Sequence, residues 1–407
     1  MTKVTSSPRF VAFDVSKRSI VAAAVDAEQK ILLQPRKITL EKFENWCQKN
    51  LYPTDRVVLE ATGNAWQFYD QLQPLVASVT IANALQVKLI AQAKVKTDAR
   101  DALNLAKLHA AALIPAVWVP PQPVRDLRSL VAQRNILVKQ RTKCRNRLHA
   151  RLMAHNLFPP EGNPFSEANL SWWENLVLSH AEKLQIRQAW KLLLELEPLI
   201  GEIEAEFLRL SCSEQWASQT IFLIQLPGFG IVTVMTILAA IGDITRFESP
   251  KKLVGYSGLG ASVYASGQVC RTGSITRQGR SELRGALLEA AWSAVECSHY
   301  WKEEYTRLSI HLGKGKAIVA IARKLLVAAW HVLHKQQVDC HAEPELVARK
   351  LMNWGAKLKL EGRGQLTTRE FLLQKLQCLK LEDKISSFNW NGQAYTLVAA
   401  RATEVAG

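Results

Sequence analysis

Residues 10–17 read Phe-Val-Ala-Phe-Asp-Val-Ser-Lys, and residues 56–63 read Arg-Val-Val-Leu-Glu-Ala-Thr-Gly. Each stretch holds a short apolar run that ends in an acid, Asp14 in the first and Glu60 in the second. A short apolar run bounded by polar residues is typical of a buried strand. Because α/β sheets present functional groups where strands end, the two acids are candidates for a site at one sheet edge.

The residues around these two runs predict a mixed sheet. The hydrophobic patterns indicate further strands over 19–25, 31–38 and 76–81, and helices over 40–49, 65–75 and 98–112. Early strands followed by a strand that alternates with helices indicate a mixed α/β domain. Prolines at 115, 120, 121 and 123 mark the end of this domain.

The chain is strongly basic. Its 407 residues include 52 Lys and Arg against 36 Asp and Glu, which gives a net charge of +16. A protein this basic usually binds a polyanion, and nucleic acid is the first candidate. The seven Cys follow no disulfide or zinc spacing, and residues 1–9 lack the apolar core of a signal peptide. We therefore expect a cytoplasmic, nucleoid-associated protein.

One uncharged stretch runs from Gln215 to Gly242, 28 residues that could span a bilayer by length alone. Pro227-Gly228-Phe229-Gly230 interrupts it, so that each half is too short and no membrane helix is expected. The pattern instead predicts a helix-hairpin-helix whose backbone N–H groups, around Gly228 and Gly230, contact a phosphate of nucleic acid. The alternative is a buried corner between two helices without nucleic-acid contact.

Two long helical patterns follow the prolines, one over 124–155 and one over roughly 171–210. Two such helices joined by a loop predict an antiparallel coiled-coil arm. Between Pro121 and His155 the chain has nine Lys or Arg and one acid, Asp126. This basic stretch is either a surface for nucleic acid or a solvated helix face.

Two more acids, Asp98 and Asp101, lie three residues apart at the predicted start of a helix and so share one helix face. Together with Asp14 and Glu60 they make four carboxylates. Carboxylates in a close group repel one another, and one or two Mg²⁺ (or Mn²⁺) ions would cancel that charge and bridge phosphate oxygens. Taken singly, Asp98 can instead be a helix N-cap and Glu60 a strand-end acid before a turn.

Three blocks carry a family resemblance: Phe-Asp-Val-Ser-Lys at 13–17, Leu-Glu-Ala-Thr-Gly at 59–63 and Lys-Thr-Asp-Ala-Arg-Asp-Ala at 96–102. They resemble the acidic blocks of the DEDD-type transposases of bacterial insertion sequences, a family that includes pilin-gene invertases and bridge-RNA-guided recombinases. The resemblance implies an RNase H-like (RuvC-like) domain in which Asp14, Glu60, Asp98 and Asp101 bind Mg²⁺. Ala12-Phe13 departs from the family, where Gly-Ile is frequent.

A Gly- and Ser-rich segment over 255–279 holds Tyr264-Ala265-Ser266-Gly267. A Ser beside Gly in a loop can be exposed, but it needs a base or a metal to act as a nucleophile. Because no His lies between His180 and His299, activation would come from the acidic site of another domain or subunit. The competing serines are Ser257, Ser262 and Ser274.

This segment resembles the second conserved region of the same transposase family, in which the Ser of Ser-Gly is the nucleophile. The resemblance implies that Ser266 attacks a DNA phosphodiester and leaves a 5′-phosphoserine and a free 3′-OH, in an active site shared between protomers. Gly279-Arg280 stands where Gly-Asn is common. Arginines around the segment suit phosphate binding, namely Arg271, Arg277, Arg280 and Arg284.

The expected architecture is α/β followed by α, in four parts. These are a RuvC-like catalytic domain over 8–120, the arm over 121–215, a mostly helical transposase domain over 216–340 and an extension of unassigned role over 341–407. The expected function is DNA recombination for an insertion sequence, with DNA, a structured bridge RNA and a homodimer or homotetramer as partners. Two other functions stay open: a hydrolytic endonuclease of the Holliday-junction-resolvase type, and a non-catalytic nucleic-acid-binding protein.

Overall fold

The computed structural model describes residues 8–90 and 97–397, which form two compact units that divide between Pro120 and Pro121. The elements of the first unit are β1 (Phe10–Val15), β2 (Ser19–Val25), β3 (Ile31–Thr39), α1 (Leu40–Asn50), β4 (Arg56–Glu60), α2 (Ala65–Leu72), β5 (Ser78–Ala82), α3 (Ala84–Ile90), α4 (Asp98–Ala110) and β6 (Ala116–Val117).

The strands of the first unit form one mixed sheet in the order β3-β2-β1-β4-β5-β6. The β1–β2 and β2–β3 pairs are antiparallel, whereas β1 pairs with β4 and β4 with β5 in parallel. The mixed α/β sheet is therefore confirmed, and its central strand order is that of an RNase H-like domain.

Alternating side chains give the sheet two buried faces. On one face, Phe13 and Leu59 pack with residues of α1 and α2. On the other face, Ala12 and Val58 pack against α4 through Leu105 and its neighbours. Successive side chains of a strand point to opposite faces, so this alternation also fixes the face on which the strand-end acids lie.

A buried ion pair joins the starts of β1 and β4. Arg9 donates from Nε to Asp55 Oδ1 at 2.9 Å and from Nη2 to Asp55 Oδ2 at 2.6 Å, and Asp55 is fully buried. The backbone N–H of Tyr52 also donates to Asp55, and the Arg9 guanidinium stacks over the Tyr52 ring. This pair holds the two parallel strands in register from the end opposite to Asp14 and Glu60.

The second unit is mostly helical, as expected. Its elements are α5 (Gln122–Ala154), α6 (Leu170–Glu174), α7 (His180–Leu210), α8 (Ala217–Ile224), α9 (Ile231–Ile241), α10 (Pro250–Ser257), β7 (Ala261–Ser266), β8 (Val269–Ile275), α11 (Ser281–Cys297), α12 (His299–Leu312), α13 (Lys314–Lys335), α14 (Pro344–Lys357), α15 (Thr368–Cys378), β9 (Ser387–Trp390) and β10 (Gln393–Thr396).

The long helices α5 and α7 pack side by side in opposite directions. Arg134 pairs with Glu204 and Arg141 with Glu197, so later residues of α5 meet earlier residues of α7. The prediction of one continuous helix over 171–210 is wrong, because this range holds two helices. The short helix α6 ends at Glu174, and a separate helix, α7, begins after its N-cap Ser179, which forms a capping box with Glu182.

The uncharged stretch forms two short helices, α8 and α9, on either side of the Pro-Gly hairpin. Among the residues described, one helix, α13, has the length and hydropathy to cross a bilayer. Its apolar stretch is 56% buried within the protein, where it packs against α10, α11 and α12. In this structure α13 is therefore a core helix of the second unit.

The last described residues fold back onto this unit as α14, α15 and a hairpin. Thr367 caps α15 through a capping box with Glu370. Asn391 and Gly392, with φ of 52° and 78°, link β9 to β10. Two consecutive positive φ values define the type I′ turn that the Asn-Gly dipeptide predicts. The sequence did not predict α14.

Asp55→Asn tests whether the Arg9–Asp55 ion pair holds β1 and β4 in register. The substitution leaves Arg9 without its carboxylate partner, and we expect the local stability of the β1–β4 pair to fall by about 3 kcal/mol. Native-state hydrogen exchange of the β1 and β4 amides measures this loss. Asp26→Asn is the matched control, because the half-buried Asp26 side chain accepts one backbone hydrogen bond, from Lys30 N in the β2–β3 turn. Equal protection in the two variants would contradict this role of the ion pair.

Candidate active site and nucleic-acid interface

Asp14 and Glu60 lie level with each other on adjacent parallel strands. The β1–β4 register pairs Phe13 with Leu59, so the next residues on both strands are the two acids. Ala12 and Val58, two residues earlier, face α4, and the alternation places both carboxylates on that same face. Both residues are half-buried at the carboxyl end of the sheet.

Helix α4 brings the other two acids to this edge. His109, near its end, contacts the Phe10 ring at 5.5 Å, whereas Ala102 packs on Val21, the β2 partner of Asp14. The helix therefore runs antiparallel to β1 and starts where β1 ends. Burial lowers the pKa of His109 to about 4, with Arg56 adding to the effect, so this imidazole is neutral at pH 7.

Asp98 and Asp101 occupy the first turn of α4. Asp98 is exposed and stands one turn before Ala102, which packs on the sheet. The N-cap is Thr97, whose Oγ1 accepts a hydrogen bond from Arg100 N at 3.3 Å. The alternative interpretation of Asp98 as an N-cap is therefore wrong.

The four acids suit a hard divalent cation by their chemistry, because Mg²⁺ prefers carboxylate oxygens. Asp14 and Glu60 lie at the ends of β1 and β4, and Asp98 and Asp101 lie in the first turn of α4, which packs on the same sheet. Over residues 8–90 and 97–397, however, no three acidic, His or Cys side chains approach closely enough to ligate one ion. The donor set fits a divalent metal in chemical type, and binding of that metal by Asp14, Glu60, Asp98 and Asp101 stays a prediction.

Ser266 lies at the tip of a β-hairpin and not in an irregular loop, which corrects the sequence interpretation of this segment. It is the last residue of β7 and pairs with Val269, so the turn contains only Gly267 and Gln268. Gly267 has φ of +58°, as the first position of a type II′ turn requires. All residues of β7 are exposed, so the Ser266 hydroxyl is accessible.

The base of this hairpin is held by a close backbone crossing. A Cβ on Gly279, at φ +129°, would stand 2.2 Å from the Tyr256 carbonyl oxygen. Hydrogen bonds from Thr276 N to Gly260 O and from Arg277 N to Gly258 O tie the two chain segments together. The competing serines have structural contacts: Ser257 is buried, and Ser262 donates to the carbonyl of Ser274.

The four arginines named from the sequence divide into two pairs. Arg280 donates to the Tyr256 hydroxyl at 2.8 Å, and Arg284 donates to the Ser257 carbonyl at 3.1 Å. Both therefore brace the hairpin base. Arg271 and Arg277 are exposed on β8 and just beyond it.

Tyr256 lies among several cationic groups under the hairpin. Burial raises the pKa of Tyr256, but Arg280, Arg246 and Arg128 together hold it below its usual value. Burial also lowers the pKa of Arg128 to about 10, and Arg280 adds to this effect. Such a concentration of guanidinium groups favours an anion nearby.

The basic helix α5 presents only part of its charge to solvent. At least four of the nine basic side chains contact protein acceptors, among them Arg128, Arg134, Arg141 and Arg145. Lys139, Lys143 and Arg147 are exposed and follow one another at four-residue spacing, which places them on one helix face.

The two glycines of the helix-hairpin-helix have different roles. A Cβ on Gly228 would stand 2.1 Å from Ala290 O, so this glycine allows the hairpin to pack on α11. Gly230 is exposed with open space around it and is the N-cap of α9, where no side chain caps the helix.

A mixed sheet followed by a mostly helical unit fits a DEDD nuclease-like domain joined to a second, transposase-type domain. Two family descriptions match the chain: the DEDD transposase model over residues 11–157 and the IS116/IS110/IS902 transposase model over residues 222–307. Together the matched regions cover more than half of the chain, which belongs to this transposase family. The resemblance seen in the acidic and serine blocks is thereby confirmed.

Individual relatives agree with this assignment. Protein y4qE of Sinorhizobium fredii, which carries a transposase name, is 28% identical over 276 residues, and the match spans 66% of each chain. The pilin gene-inverting protein of Moraxella bovis is 25% identical, and the match spans 81% of this chain and 97% of that protein. The transposase of insertion sequence element IS1111A from Coxiella burnetii is 24% identical over 69% of this chain and 78% of that protein.

Gly279→Ala tests the close approach of the Gly279 backbone to the Tyr256 carbonyl at the base of the Ser266 hairpin. The added methyl group meets the Tyr256 carbonyl at a φ that favours glycine, and we expect a loss of at least about 2 kcal/mol in stability of the second unit. Gly285→Ala is the control, because Gly285 lies in α11 with open space around it and should gain up to about 1 kcal/mol. Chemical unfolding of the full chain separates the two, and an unchanged Gly279→Ala protein would refute the crossing.

Proposed function

We propose that the protein is a DNA transposase of an insertion sequence and that Ser266 is its nucleophile. The observation that carries the proposal is the position of Ser266, exposed at the tip of a hairpin whose base is fixed by Gly279 and Arg280. A nucleophile that must reach a phosphate within a DNA strand needs both features: accessibility and a fixed direction of approach.

The proposed reaction exchanges one phosphodiester for another. Ser266 Oγ forms a bond to phosphorus while the bond from phosphorus to the 3′ oxygen breaks. The serine proton leaves, and the departing 3′ oxygen takes up a proton to give a 3′-OH and a 5′-phosphoserine. Attack of another 3′-OH on the phosphoserine restores the Ser266 hydroxyl, and the conserved bond energy makes ATP unnecessary.

The carboxylates of Asp14, Glu60, Asp98 and Asp101 would hold Mg²⁺ (or Mn²⁺), which when bound neutralises charge on the attacking and leaving oxygens. The serine and the carboxylates belong to different units of the chain, and we propose that the site is completed within a homodimer or homotetramer. Two DNA partners require at least two cleavage sites, which fits such an assembly.

The remaining parts would bind nucleic acid inside the cell. We assign 8–120 to catalysis by the acids, 121–215 to the arm, and 216–340 to the serine domain. The exposed face of α5, Arg271, Arg277 and the N–H groups at Gly230 are the proposed contacts to DNA and to a structured bridge RNA. Arg280, Arg284 and Gly228 would support those contacts by positioning the hairpins.

Covalent trapping tests the nucleophile. With a nicked suicide DNA substrate and Mg²⁺, the wild-type protein should become attached to the 5′ end of the cleaved strand, because religation is prevented. Ser266→Ala should abolish the attachment, whereas Ser274→Ala, a substitution on the neighbouring strand of the same hairpin, should retain it. Denaturing electrophoresis of labelled DNA measures the adduct.

Asp14→Asn separates the roles of acid and serine in the same assay. It should lose both cleavage and adduct while leaving DNA binding intact. Cleavage by the wild-type protein without an adduct would instead support metal-activated water, as in a Holliday-junction-resolvase-type endonuclease. Recombination that survives both Asp14→Asn and Ser266→Ala would overturn the two assignments.

The exposed cations of α5 predict a strong salt dependence of binding. Replacing Lys139, Lys143 and Arg147 together by Gln removes about three phosphate contacts, so the slope of log affinity against log salt should fall by about 2 to 3. Fluorescence anisotropy with labelled duplex DNA and with RNA measures the slope.

A second triple variant supplies the control for this measurement. Lys183, Arg187 and Lys191 have the same charge and the same four-residue spacing on α7. Replacing them by Gln should leave the slope nearly unchanged. Equal effects of the two triple variants would show that the excess charge acts without regard to position and would refute a specific surface on α5.

A further inference from the structure

A cavity of about 610 Å³ lies between the α8–α9 hairpin and α14. Gly228, Gly230 and Ile231 line one wall, and α14 supplies the opposite wall. The end of α11 contributes Glu296 and Cys297. A volume of this size is within the usual range for a ligand site.

The α14 wall is cationic. Arg349, Asn353 and Lys357 follow one another at four-residue spacing and line the cavity, with Lys350 beside them. Arg349 and Lys357 are exposed cations opposite one acid, Glu296. Burial lowers the pKa of Lys350 to about 7, so this group contributes only part of a charge. Asn353 Oδ1 accepts a hydrogen bond from Trp390 Nε1 at 2.7 Å, so the contact with β9 engages the amide oxygen and leaves its NH₂ group as the donor.

The opposite wall adds partial positive charge. Helix α9, 11 residues long, begins at this cavity with neither a side-chain cap nor an acid in its first turn. Its first backbone N–H groups lack intrahelical acceptors, and the helix dipole places positive charge at the same end. Both walls therefore present positively charged or partly positive hydrogen-bond donors to the same cavity.

The cavity wall is also rigid. Lys350 Nζ donates to the carbonyl of Leu226 in the hairpin, and Trp354 Nε1 donates to Ser211 Oγ at 2.9 Å. Buried Gln225 donates from Nε2 to Gln337 O and accepts from Asp339 N. The Lys350 bond joins α14 to the hairpin, the Trp354 bond joins α14 to the end of α7, and the Gln225 bonds hold the segment that precedes α14. A site formed in this way before a ligand binds needs little ordering on binding.

We propose that this cavity binds a backbone phosphate of nucleic acid and that the C-terminal extension supplies its cationic wall through Arg349, Asn353 and Lys357. The inference rests on the proposed nucleic-acid function and assigns to residues 341–397 a role in it. The extension lies beyond residue 307, where the second family match ends. In the proposed site the phosphate oxygens accept from the α9 N–H groups on one side and from the guanidinium and ammonium groups on the other.

The test compares two charge-matched variants of the full-length protein. Arg349→Gln with Lys357→Gln removes two cavity charges, whereas Lys359→Gln with Lys384→Gln removes two exposed charges of the same extension outside the cavity lining. Fluorescence anisotropy is measured with labelled duplex DNA, single-stranded DNA and single-stranded RNA. Circular dichroism verifies that both variants retain the wild-type fold, as expected for exposed positions.

We expect the cavity variant to bind at least one of the three probes about tenfold more weakly, with a salt slope lower by about 1 to 2. The control variant should change affinity by less than about twofold. The probe that loses affinity identifies the source of the phosphate. As a second readout, hydrogen exchange of the amides at 230–233 should slow when that probe binds to the wild-type protein and should not slow in the cavity variant.

Two outcomes would overturn the inference, and they are distinguishable. If the wild-type protein binds the probes but the cavity and control variants behave alike, the extension has no phosphate site while the proposed transposase function stands. If the wild-type protein binds none of the probes at any salt concentration, the cavity proposal and the proposed function fail together.

Discussion

The ion pair between Arg9 and Asp55 sets the register on which the acidic site depends. Each residue precedes an acid of the site by five positions, Arg9 before Asp14 and Asp55 before Glu60. Residues along two paired parallel strands advance by the same distance, so an ion pair at one end of the strands determines which residues lie opposite each other at the other end. A slip by one residue would move one carboxylate to the opposite face, where α1 and α2 pack. Geometry near the proposed metal therefore depends on a contact at the far end of the strands.

The serine is positioned by a different means. A two-stranded hairpin on its own is marginally stable in water, and both strands here are exposed. Its direction is fixed at the base, where Gly279 permits the backbone crossing and Arg280 bonds to Tyr256. The chain thus combines a rigid base with an accessible tip, and the side chain at the tip carries the proposed chemistry.

The sequence predicted most strands and helices of the first unit because their apolar runs are short and bounded by clear turn residues. It also predicted the type I′ turn at Asn391-Gly392, since that dipeptide has few other uses. The Ser266 segment was predicted to be a loop because its β-strands bury no face and therefore lack an apolar alternation. Thr97 caps α4, whereas Asp98 was one candidate for this role. The sequence cannot separate the two, because Thr and Asp are both favoured at the N-cap and are adjacent here.

The basic surface was predicted only in part for a related reason. Counting charges along 121–155 does not reveal that Arg134 and Arg141 pair with acids of α7, more than fifty residues later in the chain. The tertiary partners of α14, Leu226 and Ser211, are likewise far away in sequence, although its proline start and apolar spacing are local helix signals. Contacts of this range follow from the tertiary fold and carry no local signature. For the four acids, the sequence predicted only that two lie at strand ends and two at a helix start, and not the distances between them.

The buried side chain of Gln225 has a consequence for shortened forms of this chain. Its amide is satisfied by backbone groups of residues 337 and 339, and the neighbouring Leu226 carbonyl is satisfied by Lys350. A premature stop codon shortly before these positions would strip polar atoms in the middle of the protein of their partners, each at a cost of about 1 to 3 kcal/mol. A chain shortened there would therefore be less stable in the second unit than the full chain.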